Sequence, residues 1–221
     1  MARPTHDLTP ARHIRVLLGD PPINWQAVQD WHDIHPFLER DHHFASIVEQ
    51  EIVSHGYRAL LLAGLFHFVR TPPHTASHRP NVVDRLDARY PGMTSVIVPH
   101  VGFSHRNGEL EPRLAPWPIP SLAWVGGTWL GELDPRLLFV AGQPAEDVGR
   151  YSGTTLRDVA DGYLYLGPRA TLTRSHPNPA IYRGDAAYLA ELERRRELFY
   201  ASRTLEELYV EGDPEYRQPG Q

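Results

Sequence analysis

Apolar residues come in short bursts along the chain, and the spacing inside each burst predicts an element. Ile14-Arg15-Val16-Leu17-Leu18-Gly19-Asp20 has the length and the stop of a β-strand, because Pro21-Pro22 cannot continue a ladder. After Asp41, which suits a helix cap, Phe44, Ile47, Val48 and Ile52 recur at helical spacing to about His55. Gly56 suits the position just past that helix. Tyr57 to Phe66 is almost continuously apolar, as expected of a strand covered on both faces. Asn81 predicts the cap of a second helix, Val82 to Tyr90, stopped by Pro91-Gly92. A third strand is expected over Thr94 to Val98, ending at Pro99-His100. Strands alternating with helices through short connections predict a parallel sheet with right-handed crossovers.

Further on the pattern weakens. Residues 102–158 are rich in proline and glycine, with Pro112, Pro116, Pro118 and Pro120 ahead of Ala123-Trp124-Val125-Gly126-Gly127, which reads as a long loop carrying an edge strand. The tryptophans of 112–131 suit either an interface or a lid over a pocket. Gly162 to Gly167 predicts another short strand, behind Asp158 and Asp161. Ala186 to Arg203 predicts a charged helix whose Glu191, Glu193 and Arg194 to Arg196 form ion pairs on an exposed face. The expected organisation is a flexible segment 1–13, one α/β domain over 14–210 built on an open, mostly parallel sheet with flanking helices, and a frayed tail 211–221. Residues 1–13 lack the apolar stretch of a signal peptide, so a cytoplasmic location is the default expectation.

Composition narrows the chemistry. The 221 residues are 41% hydrophobic and 22% charged, an ordinary globular balance. No apolar run approaches the roughly 18–20 residues of a membrane span. A net charge of −5 without a long basic tract argues against nucleic-acid partners. Absence of cysteine excludes disulfides, thiolate nucleophiles and cysteine-held metal centres. All 22 basic residues are arginine, so only imidazole, carboxylate, hydroxyl and guanidinium groups remain to do chemistry, and the 13 histidines draw attention first.

In an open parallel sheet ligands bind beyond the carboxyl ends of the strands. That rule selects Asp20, His67 and His100, one at the end of each predicted strand, as catalytic and metal-ligating candidates sharing a crevice. Each also has a plain structural reading: a turn cap for Asp20, and core histidines bonded to backbone for His67 and His100. His42 and His43, at the start of the first predicted helix, are candidate anion contacts or a further cofactor ligand, and the alternative is a solvated pair. His32 and His35 read as surface, whereas His74, His78 and His105 suit loops that line a lid. Two chemistries fit: a divalent transition metal on three protein ligands that activates water, or a histidine oriented by an aspartate as a general base. No His-Glu-x-x-His, Gly-x-Ser-x-Gly, P-loop or Gly-x-Gly-x-x-Gly pattern occurs, which counts against common zinc proteases, serine hydrolases, NTPases and dinucleotide enzymes.

Arg15 to Trp25 (Arg-Val-Leu-Leu-Gly-Asp-Pro-Pro-Ile-Asn-Trp) followed by Ala59 to His67 (Ala-Leu-Leu-Leu-Ala-Gly-Leu-Phe-His) resembles the C-terminal half of bacterial proteins of the erythromycin-esterase, ChaN-like and Tiki/TraB superfamily. The likeness covers residues 14–101, and its Gly-x-x-His element is matched by Gly64 and His67. It implies an α/β fold, a pocket role for His67, and an activity among ester hydrolysis, metal-dependent peptidase action and haem binding. Those families also carry an earlier Gly-Glu motif that residues 1–13 do not match. The expectations are therefore a hydrolase-like domain acting on an ester or amide, a haem- or metal-binding protein with Phe66, Trp124 or Trp129 lining its pocket, or a catalytically silent piece of a larger protein. The expected partner is a small-molecule substrate or haem.

Overall fold

Helices begin in this chain where a side chain satisfies their first amides. The computed structural model describes residues 14–73, 75, 79–100, 109–138, 149, 151–172 and 184–200. In α1 (Trp31–Leu38) the Asp30 carboxylate accepts from the amides of His32 at 2.8 Å and Asp33 at 3.3 Å. His32 and His35 lie exposed on it. α2 (Arg40–Glu51) follows after Glu39, and no side chain caps it. The expected cap, Asp41, sits inside the first turn instead; its charge suits the positive end of the helix dipole while its oxygens stay available to a distant partner. A 3₁₀ turn, Val53–His55, ends at Gly56 with φ 65°, a left-handed conformation that costs glycine little. α3 (Val82–Arg89) starts at Asn81 as expected, with a capping box in which Asn81 and Asp84 satisfy each other's backbone amides.

The fold is mixed α/β. β1 (Ile97–Pro99), β2 (Ser121–Trp124) and β3 (Gly162–Tyr165) form one sheet in the order β1-β3-β2. β1 runs parallel to β3 with Ile97 opposite Gly162, and β2 runs antiparallel to β3 with Trp124 also opposite Gly162. The single-turn helices α4 (Glu111–Leu114) and α5 (Leu156–Val159) flank the sheet strands in sequence, and α6 (Ala186–Tyr200) follows.

Two expected strands are absent. Residues 14–19 and 57–64 carry no regular secondary structure, and Ile14, Val16, Leu18, Leu60 and Leu62 are each 74–84% exposed. An apolar run supplies β propensity, but a strand exists only where a neighbour takes up its backbone hydrogen bonds. No described strand does so here, and of the second run Leu61 turns toward the helices. The expected third strand starts later, at Ile97, and the edge strand ends at Trp124 with Gly126-Gly127 in the following turn.

The core has two parts. The inner face of the sheet (Val98, Tyr163, Tyr165) packs with Val69, Leu114 and Leu156 in the larger. Ala45 and Val48 of α2 meet Val82 and Leu86 of α3 in the smaller. The segment 65–69 joins them: Leu65, Phe66 and Val69 reach the larger cluster, and Phe68 packs on both. The outer face of the sheet leaves Ile97, Leu122 and Trp124 exposed.

On α6 the expected ion pairs form, Glu191 with Arg194 and Arg195, and Glu193 with Arg196. The helix is more than a solvated face, however. Arg194 donates to the carbonyls of Val28 at 2.9 Å and Trp25 at 2.5 Å, and the Arg195 guanidinium stacks 4.2 Å from the Trp25 ring centre. No described helix is long and apolar enough to cross a membrane. The segments expected to be flexible or frayed, 1–13 and 211–221, lie outside the described residues.

Candidate functional site

His67 closes a 3₁₀ turn, Leu65–His67, whose backbone is held from below by the first turn of α3. Asn81 is 2% exposed, and its side-chain amide donates to the carbonyls of Phe66 at 3.1 Å and Val69 at 2.7 Å. Its oxygen meanwhile accepts the Asp84 amide at 3.0 Å. The Asp84 carboxylate accepts from the Thr71 amide at 2.9 Å and the Thr71 hydroxyl at 2.5 Å. The chain is thus clamped on both sides of His67.

From the other side α2 brings two charged residues to the imidazole. Asp41 Oδ1 hydrogen-bonds His67 Nδ1. Arg40 Nη2 lies 3.3 Å from His67 Nε2, and Arg40 Nη1 lies 3.2 Å from Asp20 Oδ1. A guanidinium only donates, so Nε2 is the acceptor and Nδ1 carries the proton it gives to Asp41; these partners assign the tautomer. The His67 and Asp41 side chains are 22% and 27% exposed, against 45% for Arg40 and 69% for Asp20. The dyad is half sheltered and the outer ion pair stands in solvent.

Asp20 and His67 are therefore brought together, through Arg40. His100 follows β1 as expected, its amide donating to Leu164 O at 2.8 Å, but its ring turns into the core. Nδ1 lies 2.6 Å from the Tyr163 hydroxyl, the ring packs edge-on to Tyr165, and Glu111 Oε1 is 3.7 Å from Nε2, beyond hydrogen-bond reach. Nε2 is buried without a hydrogen-bond partner among the described residues. Burial pulls this imidazole below its ordinary value, opposed by the Glu111 carboxylate, and pushes the Tyr163 hydroxyl up. None of the hydrogen bonds, ion pairs or ring contacts described for His100 reaches Asp20 or His67.

The residues that complete the site, Arg40 and Asp41, were legible only in part. Asp41 invites reading as a cap, and Arg40 carries no motif of its own. His42 and His43 stand one and two positions further round the helix, where each step turns the side chain by about 100°. His42 is exposed, His43 half-buried, and neither shares the hydrogen bonds of His67. The aromatic candidates do not converge on His67 either: Phe66 stacks on Tyr151, Trp129 lies between Trp117 and the Arg113 guanidinium, and Trp124 is exposed on the sheet. Among the described residues no group of three or more His, Asp or Glu side chains is placed to hold a metal ion. His74, His78 and His105 lie outside the described residues.

Chemically, the arrangement is an imidazole with one nitrogen tied to a carboxylate and the other lone pair beside a cation. Such a centre can accept a proton at Nε2 and steady negative charge next to it. Comparison with protein-family models, with curated proteins and with solved structures finds no match.

Proposed function

We propose that the His67 centre is the active site of a hydrolase acting on an ester or amide. The observation that carries this reading is the Asp41–His67 pair, in which the carboxylate fixes the Nδ1 proton and leaves Nε2, beside Arg40, as the nitrogen that accepts a proton. His67 Nε2 takes a proton from water, and the hydroxide oxygen bonds to the acyl carbon. Collapse of the tetrahedral intermediate breaks the bond to the leaving group, which recovers the proton from Nε2. Asp41 holds the ring and its tautomer. The superfamily resemblance, which also gives His67 a pocket role, points the same way. Nε2 is equally the nitrogen that haem iron or a divalent metal would take. Arg40 stands against that nitrogen here, and no described group of three or more His, Asp or Glu side chains accompanies it, which favours the metal-free reading.

Hydrolysis of 4-nitrophenyl acetate tests the proposal. His67→Gln is expected to lower kcat/KM by roughly 10²–10⁴-fold and Asp41→Asn by a smaller factor, with the wild-type rate unchanged by a chelator. Wild-type rates in both variants would sink it. The parallel pair β1 and β3 is what supports an open, mostly parallel sheet as the framework of this site.

A further inference from the structure

Arg40 sits where a working base cannot tolerate it. In this structure its guanidinium donates toward the very lone pair through which His67 would accept a proton, 3.3 Å away. We propose that the Arg40–Asp20 pair is an anion subsite that keeps His67 masked until a substrate bearing a carboxylate takes the guanidinium. This rests on the reading of His67 as a general base and names the substrate class: esters or amides whose acid or leaving group carries a free carboxylate close to the scissile bond.

Three features support it. The outer nitrogens of one guanidinium are divided between His67 Nε2 and Asp20 Oδ1, and a planar fork of that kind matches a carboxylate in a two-point contact. The present occupant of the fork is replaceable. Asp20 is 69% exposed, belongs to a segment without regular secondary structure, and holds Arg40 through one oxygen; exposed pairs of this kind are weak. Arg70 shows the contrast: Asp87 and Asp161 grip it from two sides, each at 2.8 Å, in half-buried surroundings. Finally, Asp41 and the α3 clamp hold the imidazole independently of Arg40, so drawing the guanidinium away leaves the ring in place with Nε2 free. A neutral substrate supplies nothing to draw Arg40 off, so it reacts only in the fraction of molecules whose guanidinium has left Nε2 unaided, and therefore more slowly.

The test compares 4-nitrophenyl acetate with its singly charged analogue, the 4-nitrophenyl hemiester of succinic acid, and follows the ¹⁵N shift of His67 Nε2 during titration with succinate. The wild type is expected to favour the hemiester in kcat/KM by about tenfold or more beyond the ratio in buffer, as charge-assisted pairing allows. Arg40→Gln should collapse that preference, and Arg40→Lys, which keeps the charge without the fork, should fall between. Asp20→Asn should lower the KM for the hemiester, because the internal competitor is gone. Succinate should move the Nε2 resonance toward that of an unbonded nitrogen in the wild type and not in Arg40→Gln. An equal preference in wild type and Arg40→Gln overturns the subsite even if acetate is hydrolysed. If neither ester is hydrolysed but succinate shifts Nε2 in an Arg40-dependent manner, the subsite stands and the hydrolase reading falls. No Nε2 shift with succinate overturns the subsite.

Discussion

Asn81 is the residue on which the geometry of the site most directly depends, and its removal has a calculable cost. Asn81→Ala deletes the α3 cap, a hydrogen bond of 3.0 Å from the Asp84 amide, and both donors to the His67 turn, at 3.1 Å to Phe66 O and 2.7 Å to Val69 O. A lost cap costs about 1 kcal/mol, and each side-chain bond to backbone about 1 kcal/mol net. The sum is about 3 kcal/mol, a large share of the roughly 5–15 kcal/mol that stabilises an ordinary domain. Asn81→Ser separates the parts, because its hydroxyl can still cap α3 while it is too short to reach the turn; about 2 kcal/mol should remain lost. Urea unfolding gives the free energies, and amide exchange over residues 66–71 shows where the structure loosens. Exchange there should accelerate more than in β3 for both variants. A loss below about 1 kcal/mol for Asn81→Ala, or a serine variant as stable as wild type, would show that the clamp does not hold the turn.

Protonation of His100 should weaken the fold. Burial keeps its folded value below the ordinary 6.5, so the unfolded chain binds the proton first and stability falls as pH drops through that value toward the folded one. His100→Gln should flatten the urea midpoint between pH 7.5 and 5, and an unchanged slope in that variant would contradict the assignment. Gly19→Ala should disturb the outer ion pair, because a Cβ there would lie 2.6 Å from the Phe44 ring, itself packed edge-on to Phe68. The expected outcome is weaker succinate binding with little change in the Asp41–His67 contact, read from the two imidazole ¹⁵N shifts. Hydrogen bonds from Arg194 and Arg195 hold the Glu191 carboxyl down at about 2, so its contribution is complete above its ordinary 4.5 and is lost as pH falls toward about 2. Arg194→Met should shift the Trp25 indole resonance at neutral pH, and acid should do the same in wild type; an indifferent resonance in both cases would refute the docking of α6 on residues 25–28.

Local signals were the legible ones. Asn81 and Gly56 act where their side chain or its absence dictates, since capping and left-handed turns are decided within a few residues. Ile14 to Leu18 and Tyr57 to Phe66 show the opposite case: their residues are those of strands, yet pairing is decided by chain segments far away in sequence. Asp41 was ambiguous for a physical reason. A carboxylate in a first helical turn serves the dipole equally well whether or not it also holds a histidine 26 positions on. His67 was selected as the end of a predicted strand over residues 57–66 that does not form, so the rule reached a site residue from a premise the backbone does not meet. His100 met the same test and took the other outcome, a place among Tyr163 and Tyr165 in the core.

The division of the core into two clusters has a consequence for how substitutions would register. The larger cluster is built on the sheet. The smaller one, Ala45 and Val48 against Val82 and Leu86, joins the helix that carries Arg40 and Asp41 to the helix that grips the His67 turn. Trimming a methyl group there changes the spacing of α2 and α3 before it threatens the whole fold. Variation at these four apolar positions would thus pass for variation at the His67 centre, although none of them bears a functional group.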